Sequence, residues 1–298
     1  MGDIAEVRFG IKTGANEFFY TEDITEKMKF EEIKNKIKNL GTLKSLEEIK
    51  RSGLRVVKNS KTGDYWLIEA EFLKPVIKSP KESKTIRVDI ANLRFRLLMC
   101  HKDTSELKNS YILKYIHWGE KQGFNKRPST RGRTRWWDLG KRKQARLNLN
   151  YLINDVGITF IGEIFVSDNF HEIHTEAPLD IFLNSSIFWL FQNLSGRTSF
   201  GGGLLKIQTY ELEKVFVLPI ESDASFSVFS RPPKNIFEEI GINPNQSIRE
   251  QIPKPLPDRK TLDDIVFDAL GLSQEERNEV YWSLCELVKN RLEKAKSV

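Results

Sequence analysis

The chain has 298 residues, of which 39% are hydrophobic and 30% charged, so it can bury one large core or two moderate ones. No apolar run approaches the roughly 18 residues of a membrane span, and the N-terminus lacks the basic and apolar regions of a signal peptide. We therefore expect a soluble, cytoplasmic protein without membrane partners. Cys100 and Cys285 are too isolated for a disulfide framework or a zinc ribbon, and His171 and His174 lack the further ligands of a metal site.

The hydrophobic spacing predicts an α+β fold with a β-rich core and flanking helices. Alternating residues predict strands at 4–9, 18–20, 65–68, 158–166, 204–207 and 215–218, the first two lying around a turn. Helical spacing predicts an amphipathic helix at 30–40, a short helix at 45–53, a helix that Thr104 or Ser105 caps and that carries Tyr115, and a buried helix at 179–194. Thr261 with Asp264 and Ser273 with Glu276 predict the starts of two C-terminal helices.

The distribution of proline predicts the domain boundaries. Six of the eleven prolines lie between Pro232 and Pro257, which is typical of an extended, semi-rigid linker. We expect a recognition domain over residues 1–230, a linker over 231–257 and a helical tail over 258–298.

Residues 121–146, which form the basic segment, concentrate positive charge. Ten basic residues surround the tandem Trp136 and Trp137 and only Asp138 opposes them, whereas the net charge of the whole chain is +6. The remainder of the chain is therefore net negative. Such a local cluster indicates a nucleic-acid backbone as partner. The alternative is a solvated basic loop whose two tryptophans are buried in the core.

Catalytic motifs are not recognisable in the sequence. The Glu-x-Lys half of a metal-dependent nuclease site occurs at Glu32, Glu48 and Glu82, but such matches are frequent in a chain rich in Glu and Lys. Neither a phosphate-binding loop nor the Asn-or-Asp, Pro, Pro, aromatic tetrapeptide of amino-methyltransferases is found. We therefore expect a recognition module whose catalysis resides on another domain or subunit.

Several segments resemble, in order, the C-terminal target-recognition region of DNA adenine methyltransferases. This region is a TaqI-like specificity domain that also occurs in fused restriction-modification enzymes and in phage-defence methyltransferases. The similar segments are VRFGIKTGAN at 7–16 with Phe19, LKPVI at 73–77, RWWDL at 135–139, NSSIFW at 184–189, the glycines 201–203, LP at 218–219, and the tail from 258 to 272.

The resemblance implies a DNA specificity module that binds no cofactor itself and works with an AdoMet-binding methyltransferase domain or subunit. Its implied partner is double-stranded DNA. Together with the charge pattern, it assigns DNA contact to Lys12, Thr13, Asn16, Lys126, Arg127, Arg131, Arg133, Arg135, Trp136, Trp137, Lys141, Arg142 and Lys143. Among these, Arg133 and Arg135 are the predicted base readers, and Lys141 and Arg142 the predicted phosphate contacts.

Two other functions remain open at this point. The chain could be a metal-dependent nuclease with an unrecognised site. It could also be a protein-interaction module whose tail docks a partner and whose basic segment meets an acidic surface.

Overall fold

The computed structural model of the protein describes residues 1–198, 203–222 and 226–296. The chain forms two compact units. Unit 1 comprises Met1–Gly10, Ser79–Asp89 and Ala145–Val298, and unit 2 comprises Ile11–Lys78 and Ile90–Gln144. The predicted α+β class is confirmed, because each unit combines antiparallel strands with separate helices.

Unit 2 is built on five antiparallel strands. Its elements are α1 (Asn16–Phe19), β2 (Tyr20–Asp23), α2 (Phe30–Ile33), α3 (Leu46–Arg51), β3 (Leu54–Asn59), β4 (Tyr65–Glu69), β5 (Leu73–Ile77), β6 (Phe95–Leu98) and α4 (Tyr111–Lys121). The strands lie in the order β5, β6, β2, β3, β4. Buried Ile33, Ile49, Val56 and Leu67 belong to one apolar cluster that joins α2 and α3 to the sheet.

The short helices of unit 2 follow their sequence signals to different extents. The prediction at 45–53 is confirmed, since Ser45 caps α3 and Gly53 adopts φ +70° just beyond it. The predicted helix at 30–40 is shorter, because after α2 and a 3-10 turn Ile37 bridges to Tyr65. The helix α4 begins later than predicted, with the Ser110 hydroxyl accepting from Leu113 N, because the preceding residue, Asn109, is left-handed at φ +64°.

Unit 1 contains two smaller antiparallel sheets. Its elements are β1 (Glu6–Phe9), β7 (Ala145–Asn150), β8 (Leu152–Ile153), β9 (Thr159–Val166), β10 (Phe170–His174), α5 (Ser186–Ser195), β11 (Arg197–Thr198), β12 (Leu205–Lys206), α6 (Thr209–Glu213), α7 (Ile236–Ile240), α8 (Pro257–Ala269) and α9 (Gln274–Lys296). The strands β1, β10, β7 and β9 are paired in that order, and β12 lies between β11 and β8.

Two strand predictions were wrong. Residues 215–218 form no strand, since the chain leaves α6 through a turn. The segment 18–20 begins as helix α1 and becomes a strand only at Tyr20, and it does not pair with β1, which pairs with β10. The glycines 201 and 202 of the predicted turn lie outside the described residues, whereas Gly203 adopts φ +61°.

The C-terminal helices pack within unit 1. The Asp263 carboxylate of α8 is buried and accepts hydrogen bonds from Ser186 N (2.8 Å), Ser186 Oγ (2.6 Å) and Tyr281 Oη (3.1 Å), which ties α8 to α5 and α9. The helix α8 begins with Pro257 at its first position, so the predicted cap Thr261 lies inside the helix. The second predicted cap is confirmed, since Glu276 N donates to Ser273 Oγ and Ser273 N to the Glu276 carboxylate.

The two units differ from the domain division expected from proline. Residues of the 231–257 stretch form α7, whose Ile236 and Ile240 are fully buried. In the same stretch, the Arg231 guanidinium binds Glu239 of α7 and Asp258 of α8. Because apolar side chains and ion pairs hold it in unit 1, this stretch does not behave as an extended linker.

Candidate nucleic-acid interface

The turn formed by residues 12–16 begins the candidate site in unit 2. Gly14 adopts φ +74°, a conformation that glycine takes without strain. Ala15 N donates to Thr13 Oγ1 (3.2 Å), and the Thr13 hydroxyl donates to Asn16 Oδ1. Thr13 is 1% exposed, whereas Lys12 and Asn16 are exposed. The turn therefore presents two polar side chains on a backbone that internal hydrogen bonds fix.

Residues of the basic segment hold this turn from outside. Arg133 Nη2 donates to Thr13 O (2.7 Å), and Ser129 Oγ donates to Gly14 O (3.1 Å). Arg127 donates to both oxygens of Glu17, at 2.8 and 3.1 Å. The first motif of the resemblance and the basic segment thus meet in one local structure.

The carboxylate of Asp138 organises the following residues. It accepts from Arg135 Nε (3.0 Å) and Nη2 (2.6 Å) and from Gly140 N (2.8 Å), and its Oδ1 lies 2.6 Å from His101 Nδ1. Burial opposes its ionisation, but the hydrogen bonds from Arg135, Gly140 and His101 prevail and lower the pKa of Asp138. Arg135 also binds Asp103 (2.8 Å).

These contacts revise the roles expected of three arginines. The guanidinium groups of Arg127, Arg133 and Arg135 bind carboxylates or carbonyls of unit 2, and each is partly buried. These contacts give the three arginines a positioning role within the protein. Base reading by Arg133 and Arg135 stays a prediction. Sequence reasoning missed their partners Glu17 and Asp103, because no local pattern locates an opposite charge that is distant in sequence.

The tandem tryptophans lie in the interior, which agrees with the alternative of core packing. Trp136 is 7% and Trp137 6% exposed. The Trp136 ring lies 4.5 Å from that of Phe18, and its Nε1 donates to Glu120 (3.2 Å). Their burial favours a role in anchoring the segment in the core, and DNA contact by this pair stays a prediction.

Other cations of the site remain exposed. Lys12, Lys126, Arg131, Lys141 and Lys143 are exposed and form no ion pair with any residue that the structure describes. Arg142 is half-buried and has an interaction within the protein. The exposed cations of the site are thus distinct from the arginines that hold its shape.

The residues considered for other chemistry have structural roles. His171 is buried on β10, and its Nε2 lies 2.9 Å from Ile207 O. His174 is three positions further along the strand and therefore points to the opposite face of the sheet. Glu48 accepts from Lys44 N at the start of α3, as a capping residue does. Within the described ranges, no group of His, Cys, Asp and Glu is arranged to hold a metal ion.

The comparison with protein families identifies the family of the chain. A family model described as the C-terminal domain of the type II methyltransferase M.Eco57I matches residues 67–236, more than half of the 298 residues. The chain belongs to this family. The resemblance that the sequence motifs indicated is thereby confirmed, and the RWWDL segment lies within the matched region.

Solved structures were compared with the chain as well. The type IIG restriction endonuclease BpuSI shares the fold, with a TM-score of 0.52 and 12% identity over 98% of this chain and 31% of that one. The type IIL restriction-modification enzyme MmeI, solved in complex with DNA, matches with a TM-score of 0.46 and 14% identity, over 98% of this chain and 36% of that one. The chain therefore spans about a third of the length of these enzymes. Comparison with curated protein sequences gave no match.

The helices of the described residues give no membrane span, since none combines the required length with sufficient apolar character.

Proposed function

We propose that the chain is the sequence-specific DNA-recognition module of an adenine-modifying restriction-modification methyltransferase and that it is not catalytic by itself. The observation that carries the proposal is a set of exposed cations of unit 2 that form no ion pair with a described residue: Lys12, Lys126, Arg131, Lys141 and Lys143. Ser129 and Arg133 of the basic segment bind the turn that carries Lys12. Several exposed cations without ion partners fit the phosphate backbone of duplex DNA.

The membership in the M.Eco57I C-terminal domain family supports this interpretation. Under the proposal, the partners are double-stranded DNA and a methyltransferase catalytic domain or subunit, and AdoMet binds to that partner. We also propose that the module acts in the cytoplasm, in defence against phage DNA.

The proposal is tested by the salt dependence of duplex binding. The logarithm of the affinity is expected to fall linearly with the logarithm of the salt concentration, with a slope of about −0.9 for each phosphate neutralised. Replacing Lys141 and Lys143 together by Ala should weaken binding to all sequences alike. It should also make the slope shallower by about 0.9 for each phosphate that these lysines neutralise.

The matched control replaces Lys29 and Lys44 by Ala, since these lysines of unit 2 are exposed and lie outside the basic segment. The control should retain the slope of the unchanged protein. An equal effect of both double variants on the slope would show that the basic segment is not part of the DNA interface.

Two further measurements, of plasmid cleavage and of protein association, separate the two alternatives. Cleavage of plasmid DNA that depends on a divalent metal would support a nuclease. Absence of DNA binding together with stable association to a protein partner would support an interaction module.

A further inference from the structure

The imidazole of His101 contacts the basic segment, although the residue lies outside that segment in the sequence. His101 Nδ1 lies 2.6 Å from Asp138 Oδ1, and the same oxygen accepts from Gly140 N at 2.8 Å. Resting on the proposed function, we infer that His101 Nε2 contacts a phosphate of duplex DNA and that the ring binds it in the protonated form.

The hydrogen bonds of Asp138 determine which nitrogen of His101 carries a hydrogen. A carboxylate offers about four acceptor positions. Arg135 binds one oxygen of Asp138 through Nε (3.0 Å) and Nη2 (2.6 Å), and Gly140 N and His101 Nδ1 share the other oxygen. Burial opposes ionisation of Asp138, but its hydrogen bonds prevail and lower its pKa, so the carboxylate only accepts. The hydrogen of the shared contact therefore lies on His101 Nδ1, whether the ring is neutral or protonated.

The other ring nitrogen, His101 Nε2, is available to an external partner. It has no hydrogen-bond partner among the residues that the structure describes, and the side chain is 31% exposed. A ring nitrogen forms a single hydrogen bond, so Nε2 accepts in the neutral ring and donates in the protonated ring. Only the protonated ring can therefore form a charge-assisted hydrogen bond with a phosphate oxygen.

The charges around His101 are compatible with a positive charge on the ring. The carboxylates of Asp138 and Asp103 share the single guanidinium of Arg135, at 2.6 and 2.8 Å. A protonated His101 balances the second carboxylate. The adjacent ion pair adds no net charge and joins Lys102 to Glu71 (3.1 Å).

Exposed cations follow His101's contact point along the chain. Because Gly140 N binds the same oxygen as His101 Nδ1, the backbone next to Lys141 lies close to the imidazole. Lys141 and Lys143 are exposed and form no ion pair with a described residue. The imidazole and the ammonium groups thus supply neighbouring positive charges, which suit successive phosphates of a DNA backbone.

The experiment measures the affinity of the full 298-residue chain for duplex DNA at pH 6 and pH 8, between which histidine ordinarily changes charge. Since the contact requires the protonated ring, binding takes up a proton and the affinity should be higher at pH 6. His101→Asn keeps a donor to Asp138 at the place of Nδ1 but removes Nε2. It should lower the affinity by about tenfold at pH 6, as expected for one hydrogen bond to a charged group, and by much less at pH 8.

The salt dependence of binding gives a second readout. One additional neutralised phosphate should make the slope of the unchanged protein steeper by about 0.9 at pH 6 than at pH 8. His101→Asn should have the same slope at both pH values. A residue that only holds Asp138 in place would leave the difference between the two slopes unaltered.

The matched control is His117→Asn. The His117 imidazole also meets a carboxylate through Nδ1, that of Glu120 at 3.0 Å, but it lies on α4, outside the basic segment. This variant should retain the affinities and slopes of the unchanged protein at both pH values. Circular dichroism at pH 6 and pH 8 verifies that each variant is folded.

The outcomes distinguish the inference from the proposed function. If the unchanged protein binds no duplex at either pH, the proposed function itself fails. If it binds, and His101→Asn has the same affinity and salt slope at pH 6, the role of His101 is disproved while DNA binding stands. A loss of affinity that is equal at pH 6 and pH 8 likewise overturns the inference, because a neutral contact or an altered local structure would give that result.

Discussion

The arginines of the basic segment have two different kinds of environment. Arg127 and Arg135 each contact at least one carboxylate, and Arg133 contacts backbone carbonyls. Arg131, in the middle of the same stretch, is exposed without an ion pair among the described residues. The planar guanidinium suits both uses, since its fork of donors matches carboxylate, phosphate and carbonyl oxygens. Charge counting alone therefore overestimates the number of cations available to an external partner.

The pair of Glu17 and Arg127 should make the stability of unit 2 depend on pH. Hydrogen bonds from Arg127 lower the pKa of Glu17 from 4.5 to about 2. The stabilisation is thus complete above pH 4.5 and is lost as the pH falls toward 2. Glu17→Gln should reduce the free energy of unfolding at pH 6 by up to about 1 kcal/mol, since both side chains are partly exposed. In urea unfolding, the deficit in the free energy of unfolding should be smaller at pH 3 than at pH 6.

The control for this prediction is Glu47→Gln, a change at an exposed glutamate that forms no ion pair within the described residues. Its stability should follow that of the unchanged protein at both pH values. A deficit of Glu17→Gln that is equal at pH 6 and pH 3 would contradict the role of the pair.

The packing around Trp136 can be tested at Gly119. A Cβ at this position would lie 2.6 Å from the Trp136 ring and 2.8 Å from the Phe18 ring. Gly119→Ala should therefore cost about 1–3 kcal/mol in urea unfolding, as overpacking does. Gly132→Ala is the control, because nothing lies within 4 Å of its added Cβ. Equal stability of both variants would show that the surroundings of Trp136 yield easily to an added methyl group.

Elements with strong local signals could be predicted from the sequence. Ser45 and Gly53 delimit α3, and the apolar residues around Ile161 and Ile164 specify β9. Elements that depend on partners distant in the sequence could not be predicted. Residues 215–218 have the composition of a strand but meet no neighbouring strand. The candidate site shows the same contrast. The sequence motifs indicated which segments form it, whereas the burial of its tryptophans and the partners of its arginines depend on tertiary contacts.

The buried contact between α8 and α5 should determine the stability of unit 1. Asp263→Ala would leave the polar groups of Ser186 and Tyr281 without this partner in the interior, and it would remove one of the two carboxylates near the buried Arg259. The expected cost is about 3–5 kcal/mol in urea unfolding. Asp268→Ala removes an exposed partner of Arg277 in the same helix and should cost less than about 1 kcal/mol. Comparable losses for both variants would contradict the buried network.

At the scale of the whole molecule, recognition and catalysis are expected to be separable. The sequence lacks the tetrapeptide that holds the target amino group and a recognisable cofactor loop. Calorimetry with AdoMet should therefore give no binding heat at micromolar concentration, and the chain alone should transfer no methyl group to DNA. A saturable micromolar isotherm would disprove the assignment as a recognition module.

The division into units has a consequence for how the protein is made and recombined. Residues of unit 2 end at Gln144, whereas unit 1 needs its first residues, a short middle segment and everything from Ala145 onward. During translation, unit 2 can therefore complete its fold while unit 1 still awaits its C-terminal helices on the ribosome. A single recombination crossover between two related genes within residues 11–144 would combine part of unit 2 from one protein with part of unit 2 from the other. Under the proposed function, new target specificities should thus arise by exchange of both unit 2 segments together.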